Sequence, residues 1–236
     1  MKYITLLFGF LILMTMISCS QTTSEDFLQK GDDFYRHKEY DKAIEQYNKA
    51  IKKKNDFVVA YIKKGLALEF ERKFQEAIDN YNALLKVIPN QTEALTRRGI
   101  SYIKIQKFQE AIVDLEIANQ QEPNNAQILC NLGLGKVRIK DTSGIKELNE
   151  SILLDSTNYE AFYNRGLGKV MIQENDGAIN DFEKAIELKP DFGEAYFGIG
   201  LVKFQLGDKQ GACNYWKQSV DKGYNRAQTI IDQNCN

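Results

Sequence analysis

The chain is poor in the residues that carry out chemistry. Its 236 residues include one histidine, four cysteines, three prolines and one tryptophan. The lone His37 sits in "YRHKEY" with no cysteine or second histidine nearby in sequence, which argues against a zinc site or a Cys–His pair. Charge is balanced, 31 basic against 32 acidic side chains, so the basic excess of a nucleic-acid footprint is missing. The basic run Lys52-Lys53-Lys54 falls where a helix should end, and cations there complement the helix dipole. Carboxylates are plentiful but dispersed, as at Glu69, Glu71 and Glu76, where solvation explains them. The composition points to a non-enzyme with no metal, no cofactor and no small-molecule substrate.

Long apolar runs are also scarce. One exists, Tyr3 to Ile17, after a single Lys2. Fifteen residues at about 1.5 Å each reach about 22 Å, short of a ~30 Å hydrocarbon core, so an export signal fits better than a span. The run closes on Met16, Ile17, Ser18, Cys19 and Ser20, which resembles the lipobox of bacterial lipoproteins, with Met16 where leucine is usual. That resemblance implies a signal peptide over 1–18 and acyl groups on the sulfur and nitrogen of Cys19. It also implies a short linker over 19–23 and a lipid-anchored place in the cell envelope. Ser20 rather than aspartate after the cysteine leans towards the outer membrane, on its periplasmic or surface face. A plain secretory signal with an incidental cysteine is the other reading.

What the chain has in abundance is self-similarity. The segments beginning "KGDDFYRHKEYDKAIEQY", "KGLALEFERKFQEAIDNY", "RGISYIKIQKFQEAIVDL", "LGLGKVRIKDTSGIKELN", "RGLGKVMIQENDGAINDF" and "IGLVKFQLGDKQGACNYW" align, with glycines at 31, 65, 99, 133, 166 and 200. A period of 34 residues, shortened by one in the fourth copy around Lys140–Ser143, marks a repeat architecture. The second half of each copy starts at a small residue: Ala43, Ala77, Ala111, Gly144, Ala178 or Ala212. Glycine and alanine at facing positions let two antiparallel helices approach closely. Each helical pair leaves an apolar face that only the next pair can bury, so the array stacks in one dimension and needs caps. Pro89, Pro123 and Pro190, the only prolines, should end the second helix of their copies. Gly-x-Gly at 133–135, 166–168 and 198–200 lies mid-helix with no preceding strand, which rejects a phosphate loop.

This pattern resembles the tetratricopeptide repeat. The resemblance implies an all-α, right-handed α-solenoid of six helix–turn–helix units, at 24–57, 58–91, 92–125, 126–158, 159–192 and 193–224. A short capping helix and tail would follow over 225–236, where Ala227, Ile230 and Ile231 form one stripe. In this family the first helix of each unit lines a concave groove. Carried onto this chain, the groove would present Leu66, Arg97, Ile100, Asn131, Leu134, Tyr163, Asn164, Leu167, Phe197 and Leu201. Its rows also include Ile62, Glu69, Thr96, Cys130 and Val137. The carboxylate clamp of the chaperone-cofactor branch is matched only by Arg97 and an isolated asparagine, so that activity is not carried over. The implied function is a protein-binding adaptor or scaffold that takes a partner's protein or peptide segment. A permanent structural or accessory subunit of an envelope assembly is the alternative.

Cys213 stands where earlier copies have Ile44, Ile78, Ile112, Ile145 and Ile179, facing the following element. That element is the cap, which ends at Cys235. A Cys213–Cys235 disulfide is inferred, against the alternative of two separate thiols, and it would suit an oxidising compartment. Cys130 is then a lone thiol, read as a small hydrophobe on its helix.

Overall fold

The computed structural model describes residues 22–235. Cys19 and the apolar leader lie outside the described residues. Thirteen helices and no strand are found among those described. They pair as α1 (Ser24–Arg36) with α2 (Tyr40–Lys53), α3 (Val58–Phe70) with α4 (Phe74–Val87), and α5 (Thr92–Lys104) with α6 (Phe108–Gln121). The series continues with α7 (Ala126–Arg138) and α8 (Gly144–Leu154), α9 (Tyr159–Met171) and α10 (Asn175–Leu188), and α11 (Gly193–Gln205) and α12 (Lys209–Asp221), then α13 (Ala227–Asn234). Every helix packs on the one before it. Each odd-numbered helix from α3 to α9 also touches the next odd-numbered one, so these helices form the inner wall of the solenoid.

Each odd-numbered helix up to α11 ends in the same way. In the first unit Lys38 N–H bonds Tyr35 O at 2.9 Å and Glu39 N–H bonds Phe34 O at 2.9 Å. This is a Schellman turn, which needs one residue in the left-handed region. That residue is Lys38, Arg72, Gln106, Lys140, Gln173 and Gly207 in successive units, so only the last uses glycine. In the fourth unit the turn survives at Lys140, and the missing residue is taken from the helix after it. α8 has 11 residues where α2, α4, α6 and α10 have 14. Asp141 Oδ1 accepts from Ser143 N–H at 2.9 Å in the turn just before the shortened helix.

The prolines are sufficient but not necessary. Ile88, Glu122 and Lys189, each before a proline, leave the helical region, as the proline ring requires. Lys54 and Asp155 adopt the same extended conformation with no proline after them.

The recurring glycine is a socket. A Cβ on Gly31 would lie 2.4 Å from the Tyr47 ring, on Gly65 2.2 Å from Tyr81, and on Gly200 2.4 Å from Trp216. Leu115, Leu148 and Phe182 occupy the same seat over Gly99, Gly133 and Gly166. Contact with a large side chain, rather than with the small residue at the start of the partner helix, is thus what the glycine mainly serves. The fourth unit is the exception, because there a Cβ on Gly144 would meet the Gly133 carbonyl oxygen at 2.6 Å.

The last unit is closed by α13. Tyr224, Ile230, Ile231 and Cys235 pack with Phe197, Cys213 and Val220 around Trp216. Cys213 and Cys235 are joined, with their Cα atoms 5.6 Å apart. No helix among the described residues is long and apolar enough to cross a membrane.

Candidate functional site

The inner wall narrows to fewer side chains than the family pattern implies. Ile62, Thr96, Cys130 and Val137 are buried between helices instead of facing the groove. Asn164 is withdrawn as well, only 5% exposed, with its amide against Cys130 Sγ at 3.8 Å. The reason is packing: consecutive inner helices approach one another, and the stripe facing the neighbour is covered. Tyr163 is largely packed against Phe192 and Phe182, and Phe197 against Tyr224 in the turn before the cap. Burial pushes the Tyr163 phenol up to about 12. Asn131 remains part-exposed, its amide donating to Gln127 O of its own helix at 2.8 Å. Leu134 and Leu167 are half-buried, and Leu201 is exposed.

Leu66, Arg97 and Ile100 come together. They share a cleft between α3 and α5 with Glu69, Phe70, Phe74, Ser101 and Lys104. Phe70 is 61% exposed, an unusual cost for a phenylalanine, and stacks flat on Tyr40 with ring centroids 5.5 Å apart. Tyr35 meets both rings edge-on. The cleft therefore has an aromatic and aliphatic floor with charged groups around it.

Those charges are held from below. Tyr81, seated over Gly65, donates its hydroxyl to Glu69 Oε1 at 2.8 Å, and Ser101 Oγ lies 3.4 Å from the same oxygen. Arg97 Nη1 is 3.9 Å from Glu69 Oε2. Burial raises the Glu69 carboxyl above its ordinary range, while Tyr81, Arg97, Ser101 and Lys104 oppose that. One unit earlier Tyr47 bonds Asp32 Oδ1 at 2.9 Å, and Lys63 reaches Asp32 Oδ2 at 2.7 Å. From the third unit on, the seat holds Leu115, Leu148 or Phe182, which have no donor for a carboxylate, or Trp216, whose indole N–H has no hydrogen-bond partner. Phe70, Phe74 and Ser101 were not foreseen as lining residues. Phe70 had a signal, since its counterparts Arg36, Lys104, Arg138, Met171 and Gln205 are polar or flexible.

Among the described residues, Cys130 and His37 lie apart from this cleft. Cys130 is buried and its thiol is pushed up to about 12, chiefly by desolvation. His37 Nδ1 meets the carbonyl of Asp33 at 2.7 Å on the surface. Among the described residues no three His, Cys, Asp or Glu side chains converge on a metal position.

These features define an all-α solenoid of helical hairpins whose inner wall carries a mixed apolar and charged cleft. Family models agree: the Psidin N-terminal TPR repeats region matches residues 33–152, and two further tetratricopeptide models match 172–207 and 194–222. The chain belongs to the tetratricopeptide-repeat family. No curated protein sequence matches it. Among solved structures, MamA is 30% identical, with TM-score 0.57 over 70% of this chain and 96% of its own. A chain of the APC/C hetero-tetramer Cut9–Hcn1 is 15% identical, with TM-score 0.78 over 91% of this chain and 43% of its own. YrrB, described as a TPR protein with an unusual peptide-binding site, is 19% identical, with TM-score 0.58 over 75% and 91%.

Proposed function

We propose that this protein is a non-catalytic, lipid-anchored adaptor of the bacterial envelope that docks a partner's protein segment on its inner wall. The family supports a protein-interaction role in general terms. The observation that carries the specific reading is the Leu66–Phe70–Ile100 cleft, where these apolar side chains stand beside Glu69, Arg97 and Lys104. With Phe70 exposed and Leu66 and Ile100 part-buried, such a surface suits a segment that supplies an apolar anchor flanked by polar groups. The anchor reading rests on the sequence around Cys19. If Cys19 is the mature N-terminus, five peptide steps of at most about 18 Å keep the first unit near the bilayer. Confinement there raises the local concentration of partners on the same surface.

Replacing Leu66 and Ile100 together by glutamate tests the docking half. The double variant should keep its helical circular dichroism and lose the crosslinked adducts that the parent forms in intact cells. Retention of the same adducts would reject the cleft. Mass spectrometry of the mature chain tests the anchor half, with Cys19→Ala expected to release the protein from membranes.

A further inference from the structure

A second cleft, of about 460 Å³, opens between α2, α3 and α4, lined by Ile44, Ile51, Tyr61, Asn48, Lys64 and Asn80 among others, and the chain itself shows what such a seat accepts. In the third unit Arg98 places Nε and Nη2 on the two carboxylate oxygens of Asp114, at 2.7 and 2.6 Å. Its Nη1 bonds Asn82 Oδ1 of the preceding unit at 2.6 Å. The fifth unit repeats this with Arg165, Asp181 and Asn149, at 2.9, 2.6 and 2.9 Å. Each arginine is 16 residues after its asparagine and 16 before its aspartate. In the second unit the same register holds Asn48, Lys64 and Asn80.

That substitution leaves the seat without a guanidinium and with one acceptor oxygen, on Asn80, where Asp114 and Asp181 present two. Asn80 is 4% exposed, and its amide donates to Tyr61 O at 2.8 Å, but its Oδ1 has no hydrogen-bond partner. Lys64 makes no ion pair or hydrogen bond with any described residue. Burial holds its ammonium below the ordinary lysine value, with Glu76 acting the other way. Glu76 and Asp79 also line the opening, two carboxylates against one ammonium.

We propose that this cleft binds the guanidinium of an arginine side chain presented by a partner protein, in the place that Arg98 and Arg165 fill in their own units. The orphaned Asn80 oxygen and Asn48 supply acceptors, Ile44, Ile51 and Leu68 line the side-chain stem, and Glu76 and Asp79 supply the opposite charge. Lysine fits less well, because a point ammonium cannot span the separate acceptors of Asn48 and Asn80 as a planar guanidinium can. The site is on a different face from the inner-wall cleft and stands or falls independently of it.

The probe is Nα-acetyl-arginine amide, titrated into the full mature chain with the side-chain amides of Asn48 and Asn80 followed by NMR. Saturable shifts of both amides are expected, with Nα-acetyl-lysine amide at least fivefold weaker. Asn80→Asp should tighten binding about tenfold or more, and Lys64→Met should tighten it by removing a like charge. Lys64→Arg combined with Asn80→Asp rebuilds the internal fork and should abolish binding while raising the melting temperature. Equal response to arginine and lysine, shifts confined to exposed carboxylate neighbours, or undiminished binding by the rebuilt variant would each overturn the assignment.

Discussion

Tyr81 crosses the Gly65 socket to donate its hydroxyl to Glu69 Oε1 at 2.8 Å, so a core side chain of one helix fixes a carboxylate on the inner wall of another. The bond links packing to the site. It also sets a pH dependence, because burial raises the Glu69 pKa in the folded state while the Tyr81 bond lowers it. A carboxyl with a raised folded pKa holds its proton more tightly when folded. The Glu69 contribution to stability is then greatest at low pH and falls as pH rises from the ordinary glutamate value to the folded one. Tyr81→Phe should steepen that fall and cost about 1–3 kcal/mol at neutral pH. Glu69→Gln should flatten it. Urea denaturation from about pH 4 to pH 8 measures both slopes.

The turns make a separate prediction. Gln106 sits at φ 62° where Gly207 sits at φ 86°, in the same turn of different units. A left-handed residue with a Cβ costs about 1–2 kcal/mol, partly offset by the greater chain entropy that glycine loses on folding. Gln106→Gly should therefore stabilise the array by about 0.5–1 kcal/mol, and Gly207→Ala should destabilise it by about 1 kcal/mol. Melting temperatures of the two variants should move in opposite directions.

Gly144 behaves differently from the alanines it replaces. Ala43, Ala77, Ala111, Ala178 and Ala212 fit their sites, all fully buried. At 144 the added methyl would press on the Gly133 carbonyl, which is backbone and cannot swing aside. Gly144→Ala should cost about 1–3 kcal/mol, with the loss seen first as faster amide exchange in α7 and α8.

The cap gives a fourth test. The Cys213–Cys235 bond spans 22 residues of sequence and ties α13 to α12. Its loss should cost about 3 kcal/mol in the chain-entropy model. Cys213→Ser with Cys235→Ser should expose the segment from Tyr224 onward to protease while the first five units keep their protection.

Much of the fold was written in the 34-residue glycine period and in the apolar spacing, because each unit repeats the same close contact. The cysteine pair was legible for a related reason: Cys213 breaks a column of isoleucines that face the next element. The site was harder to read. Rows assigned to the groove by position, such as that of Ile62, Thr96 and Cys130, are closed by neighbouring helices, and one helical wheel carries no information about the next unit. Asn164 looked like a groove residue and is buried for that reason. The hydroxyl support of Glu69 depends on Tyr81, twelve residues away, and on the socket between them, a relation that periodicity cannot reveal. The Arg98–Asp114 and Arg165–Asp181 forks were overlooked although both follow one spacing of 16, because charged residues at helical positions read as solvated.

The most direct measurement places a photoreactive amino acid at Ile100 on the inner wall, and separately at Val113 on an outer helix, in cells expressing the full chain. Ile100 should yield a discrete adduct that disappears when Leu66 is changed to glutamate, and Val113 should yield none of the same mass. Adducts of equal yield from both faces, or from Val113 alone, would contradict docking on the inner wall.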